Sequence, residues 1–310
     1  MKIQKFIIIG VGATIFYAFF LFLSDFNLVS EKISNFNVIF LPIILFLVPL
    51  SWLTIFFRWH ILLKNSDIRI PIKNSFGIYF AGLGLSITPG HVGELVKAHL
   101  LKKQFKIPIT KSAPIILIEK FYDLVGALVA SILGIWYFEN GAYLIMFGLL
   151  LLGIIFSFIS SRWLFNKLIN TVTKIKFLRN YEENFLNSYD VLKNSRGRKI
   201  GLISSVLSVL YWMINGLIVL CVLIALDITN VNYLVATTTY SLSGIIGALS
   251  FIPGGIGITE GSMTGLFSLH GVEVNTGIIL GVLIRFFTLW ISVFVGFICL
   301  KLVGGFLIKD

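Results

Sequence analysis

The stretch "ITPGHVGELVKAHLLKK", residues 87–103, decides how this chain is read. It closes an apolar run, Ser75 to Thr88, that would reach only about 21 Å as a helix, short of the roughly 30 Å of a hydrocarbon core. Pro89-Gly90 then turns the chain, and Glu94 and Lys97 follow before further lysines. This order predicts a re-entrant hairpin that enters the bilayer, turns near its middle and leaves by the same side. Non-helical backbone at that depth is tolerated only where protein or a water-filled cavity surrounds it.

The composition supports a bilayer as the surroundings. Of the 310 residues 57% are hydrophobic and only 13% charged, with a mean hydropathy of +0.96, whereas soluble domains carry roughly 25% charge. The expected fold is an all-α integral membrane protein. Full spans are predicted at about 6–23, 38–57, 113–138, 141–160, 200–226 and 275–300, with a second interruption at 232–270, broken by "PGGIG" at 253–257. That interruption is either a second hairpin or a full crossing, 232–252 being long enough to span. Phe6 to Leu23 follows Lys2 and Lys5, but it is long and no small-x-small cleavage site follows, so it is read as a retained span. The net charge of +11 comes without an aromatic-basic platform, which excludes nucleic acid as the expected partner. Cys221 and Cys299 sit in apolar runs without metal or redox spacing, and neither a metal nor another cofactor is expected.

With the N-terminus in the cytoplasm and both interruptions treated as hairpins, 22 of the 25 Lys and Arg residues collect on the inner side. The exceptions are Lys32, outside, and Lys120 and Arg285, within spans. Such asymmetry matches the positive-inside bias, and a full crossing at 75–88 would turn Lys97, Lys102, Lys103 and Lys106 outward. Both termini are accordingly placed in the cytoplasm of a multi-pass protein of the cell membrane.

The elements then read span, span, hairpin, span, twice over. Pro89 lies 30 residues before Glu119, and Pro253 lies 32 before Arg285. This is the layout of an inverted-topology repeat, whose site sits near the midplane where broken helices meet. The halves are residues 1–140 and 141–310, the second including a basic cytoplasmic segment at 161–200. In that segment Leu164, Leu168, Val172 and Ile175 share one helical face, as in a helix lying on an anionic leaflet, or in a solvated linker of helical character.

The two breaks suit an anion. After Pro89-Gly90 the amides of His91, Val92 and Gly93 open a half-helix, whose positive end favours a phosphate. "PGGIGITEG" repeats the device: Gly254, Gly255 and Gly257 permit close backbone approach, and Thr259 is placed to cap a helix starting near Glu260. Charges inside the bilayer are costly and come with partners. "IEKFYDL" sets Glu119 and Asp123 one turn apart with Lys120 beside them, and Arg285 is the expected partner of that acidic pair or of a substrate phosphate. Glu94 and Glu260 occupy corresponding half-helices. The candidate substrate-binding set is Thr88, Gly90, His91, Gly93, Glu94, Lys97, Glu119, Lys120, Asp123, Gly254, Gly255, Gly257, Thr259, Glu260 and Arg285. A salt-bridge network that merely pins helices is the other reading of these charges.

These motifs, "TPGHVGELVKA" (88–98), "EKFYDL" (119–124) and "PGGIGITEGSMTGL" (253–266), resemble in order and spacing the lysylphosphatidylglycerol synthase transmembrane-region family. That family includes the flippase domain of the bacterial multiple peptide resistance factor and membrane portions of some archaeal glycosyltransferases. The resemblance implies re-entrant helices at a site that moves a lipid with a phosphate headgroup between leaflets. No aminoacyl-transferase domain accompanies the motifs here, so lysyl transfer is not expected.

The expected function is therefore a flippase for an anionic phospholipid or a polyprenyl-phosphate-linked glycolipid, and not an enzyme. Its partners would be phosphate-bearing membrane lipids, with a separate transferase or a second copy of the chain as further candidates. One alternative is a polyprenyl-diphosphate phosphatase of the bacitracin-resistance type, similar in layout, but its Pro-Gly turn precedes a Ser-Arg-Ser cluster that "PGHVGE" and "PGGIGI" lack. Another is a membrane subunit that positions a transferase and moves nothing.

Overall fold

The computed structural model describes residues 32, 34–139, 141–172 and 197–304. The predicted span at 6–23 and the stretch 173–196 of the basic segment, Ile175 included, lie outside the described residues. Within them every regular element is helical.

A short turn, Val38–Phe40, whose Ile39 amide donates to Asn37 Oδ1, leads into α1 (Leu41–Asn65). Pro42 sits in the first turn of α1, where its missing N–H leaves no hydrogen bond unmade. Instead of ending near 57, α1 runs on through Arg58 and His60, both buried. Asp67 in a left-handed turn ends this segment, and extended Pro71 starts α2 (Ile72–Leu83). At 12 residues α2 is about 18 Å long, too short to cross. The Pro89–Leu95 turn joins it to α3 (Val96–Phe105). Lys106, with φ of 58°, stops α3, and Pro108 opens α4 (Ile109–Ile132).

After Gly134 and a turn at Ile135–Tyr137 come α5 (Gly141–Ser160) and α6 (Arg162–Val172). The second half continues with α7 (Arg198–Ala225) and α8 (Tyr233–Leu249), the latter capped by Asn232 Oδ1 on the Val235 amide at 3.0 Å. A turn at Pro253–Gly255 leads to α9 (Ile258–Ser268). Then α10 (Val274–Arg285) passes through a π turn, Phe286–Trp290, into α11 (Ile291–Leu302).

Among the described residues three stretches are long and apolar enough to cross a membrane: Val38–Asn65, Lys199–Ala225 and Val274–Leu302. They match the predicted spans at 200–226 and 275–300 to within two residues and contain the predicted 38–57, which stops eight residues short of Asn65. The predicted span at 113–138 overlaps α4, which begins at Ile109 and already ends at Ile132, and 141–160 is α5. Helix α8, at 17 residues, measures about 25 Å.

Packing crosses between the halves. Helices α1 and α7 lie along each other, α2 runs along α11, α8 runs along α4, and the two Pro-Gly turns touch. Glycines allow the close crossings: Gly84 meets the Gly296 backbone, and Gly216 meets Thr237. Lipid tails are as apolar as leucine, so close van der Waals packing of this kind replaces the hydrophobic drive between helices. The periphery is apolar, with Leu45, Phe46, Tyr143, Met146, Leu150, Leu202, Phe294 and Ile298 exposed, as a surface facing acyl chains requires. On α6 it is Phe165 that is buried, while Trp163 is exposed with Lys167 Nζ 4.9 Å from its ring.

Candidate functional site

The first turn is built by Thr88. Its hydroxyl donates to the Leu85 carbonyl at 2.9 Å and accepts from the Gly93 amide at 2.6 Å, while its carbonyl accepts from the His91 amide at 2.9 Å. Gly90 and His91 both take left-handed backbone angles, with φ of 58° and 56°. Two of the three amides expected to face an anion, those of His91 and Gly93, thus have partners within the turn. The geometry offers side-chain charge there instead.

Behind the turn three carboxylates meet three cations. Lys97 Nζ donates to Glu94 Oε2 at 3.0 Å and to Glu119 Oε2 at 2.7 Å. It lies 4.8 Å from the centre of the Trp59 ring and 5.1 Å from that of Tyr79, an arrangement in which ring quadrupoles help to hold a desolvated ammonium. Lys120 donates to the other Glu94 oxygen and stands 3.7 Å from Asp123 Oδ2. Arg58 of α1 reaches Asp123 Oδ1 and Ser208 Oγ of α7, both at 2.6 Å. Lys97, Arg58 and Glu119 are almost wholly buried, but the side chains of Lys120 and Asp123 remain 34% and 27% exposed. His91, partly exposed, holds Nδ1 3.2 Å from Glu94 Oε1 without hydrogen-bond geometry. The balance of buried charge makes the cluster tolerable in a low dielectric, because each ion has an opposite neighbour.

The second turn repeats the motif more simply. Gly254, Gly255 and Gly257 have φ of 60°, 64° and 83°, conformations that suit glycine. Glu260 reaches back so that its Oε2 accepts from the Gly257 amide at 2.7 Å, and its Oε1 accepts from Arg285 Nε at 3.0 Å. Arg285 also donates to the Gly254 carbonyl. The cap of α9 is therefore Glu260 and not Thr259, which lies one residue inside α9 with its hydroxyl packed against Gly247 and Gly255.

The expected pairing of Arg285 with Glu119 and Asp123 is replaced by pairing inside each half. Glu119 is engaged by Lys97 and Asp123 by Arg58, while Arg285 serves Glu260. The matched elements are instead Glu94 with Lys120 and Glu260 with Arg285, each a half-helix glutamate held by a cation of the following helix. Lys97, counted on the inner side by sequence, lies within this lattice.

Arg58 is not singled out by the sequence, where a lone arginine at the close of an apolar run marks the end of a span. A signal was present: the apolar run resumes after it with Trp59 and Ile61 to Leu63. The aromatic partners Trp59 and Tyr79 carried no distinguishing pattern.

A family model described as the lysylphosphatidylglycerol synthase TM region matches residues 7–296. No curated protein matches, and no solved structure matches.

Proposed function

This chain belongs to the lysylphosphatidylglycerol synthase transmembrane-region family, and from that premise we propose that it is a lipid flippase. It moves an anionic phospholipid or a polyprenyl-phosphate-linked glycolipid between leaflets of the cell membrane, with re-entrant hairpins α2–α3 and α8–α9 opening from opposite sides. The observation that carries the reading is the pair of touching Pro-Gly turns, each backed by a glutamate held by a cation of the next helix. The reciprocal packing of α2 on α11 and α8 on α4 supports an inverted repeat, in which one unit rocks against the other.

Charge balance suggests how a headgroup is held. Lys120 is the accessible cation of the first cluster, and a phosphate reaching it replaces one anionic partner, Glu94, by another. Arg285 offers the same exchange in the second half, its guanidinium suited to bidentate phosphate binding. Such an exchange keeps each cation paired, while the displaced Glu94 retains Lys97 and the displaced Glu260 retains the Gly257 amide. Passage from Lys120 to Arg285 needs no covalent step. Rocking then exposes the site to each leaflet in turn.

Leaflet exchange of fluorescent anionic phospholipid in proteoliposomes tests this directly. Removing one charge-assisted contact, worth about 1.5–3 kcal/mol, is expected to slow exchange by roughly 10- to 100-fold in Arg285→Ala and in Lys120→Ala. Exchange equal to wild type in both variants would remove their assigned roles.

A further inference from the structure

The two turns touch through a residue that neither charge cluster uses. Phe251 precedes Pro253 by two positions, and its ring stands 3.5 Å from where a Cβ on Gly90 would lie. Ile87 makes the reciprocal approach to Gly254, at 3.0 Å. The tip-to-tip contact is thus apolar although polar groups flank it, with His91 beside Gly90 and Arg285 on the Gly254 carbonyl.

The backbone at Phe251 has φ of 54°, a left-handed conformation that bulky residues rarely adopt. Glycine relieves such strain, and the same turn uses it at 254, 255 and 257, yet position 251 keeps an aromatic ring. Surrounding bonds pin it: its amide donates to the Ala248 carbonyl at 3.4 Å, and the next amide, Ile252, donates to Ser250 Oγ at 3.2 Å. Phe251 thereby ends α8 in the left-handed conformation that Asp67 and Lys106 adopt at the ends of α1 and α3. Core packing does not account for this one, because Phe251 is 71% exposed.

We infer that Phe251 is a gate whose ring, closing on Gly90, sets the largest headgroup that passes between the two turns. The inference rests on the transport reading above and adds a specificity determinant to it. Gly90 suits the role, since its own left-handed backbone disfavours a side chain and leaves bare main chain opposite the ring. From Gly90 a connected path of groups leads through His91 and Glu94 to the accessible Lys120, so a headgroup that clears the ring arrives at a cation. Discrimination at the ring is by size, because the contact carries no charge.

The test uses purified full-length protein in proteoliposomes with acyl-labelled phosphatidylglycerol and phosphatidylinositol, which differ in headgroup bulk. The readout is the ratio of their exchange rates in wild type, Phe251→Ala, Phe251→Gly and Phe251→Trp, with melting temperature as the control for folding. Alanine and glycine are expected to raise the inositol-to-glycerol ratio by about tenfold, and tryptophan to lower it. One ratio shared by all folded variants overturns the gate while leaving transport standing. Exchange of neither lipid by wild type overturns the phospholipid form of the transport reading and the gate with it.

Discussion

At Arg58 one guanidinium nitrogen joins three helices, reaching Asp123 of α4 and Ser208 of α7 from α1. Removing one member of a buried ion pair strands the other, so Arg58→Leu is expected to destabilise the protein by about 3–5 kcal/mol. The double variant Arg58→Leu/Asp123→Leu should recover most of that loss, as seen in thermal unfolding in detergent. A double variant no more stable than the single one would mean that Arg58 is held by something other than Asp123. The sequence made the local members of the site legible: Glu94 with Lys97, and Lys120 with Asp123, are each three residues apart and meet. It hid the Arg58–Asp123 pair, separated by 65 positions, and offered Arg285 the acids of α4 or a substrate phosphate, where the structure pairs it with Glu260. Proximity in sequence carries no information about which buried charges meet across helices.

Among the elements, the long apolar helices were the most readable feature, because apolar runs and Pro or Gly stops are local properties, although α1 and α4 end eight and six residues from their predicted limits. The predicted 141–160 coincides with α5, and 200–226 with α7 to within two residues. The misses have local causes as well. Arg58 looked like an end because its partner was unseen, and Thr259 looked like a cap because Glu260 had not been weighed for that bond. Close helix crossings were not predicted, since a glycine pairing such as Gly84 with Gly296 depends on which helices become neighbours. That crossing gives a test of the α2–α11 interface. A methyl group on Gly296 would collide with Gly84 backbone, so Gly296→Ala should cost about 1–3 kcal/mol. The control is Gly265→Ala on the exposed face of α9, where nothing lies within 4 Å, and it should be neutral or stabilising by up to about 1 kcal/mol. Equal melting temperatures for the two variants would argue against the packing of α2 on α11.

For the molecule as a whole, the proposal is that two hairpins enter from opposite faces and meet at their tips between charge-balanced clusters. Contacts exchanged between the halves, α2 on α11 and α8 on α4, are the packing expected of such a repeat. The claim beneath all others is that each hairpin begins and ends on one side. Single cysteines at Lys73, Lys102, Thr229 and Leu269, in a background lacking Cys221 and Cys299, can be labelled with an impermeant maleimide in sealed vesicles of both orientations. Labelling of positions 73 and 102 from the cytoplasmic face only, and of 229 and 269 from the opposite face only, is the predicted result. Positions 73 and 102 labelled from opposite faces would contradict it.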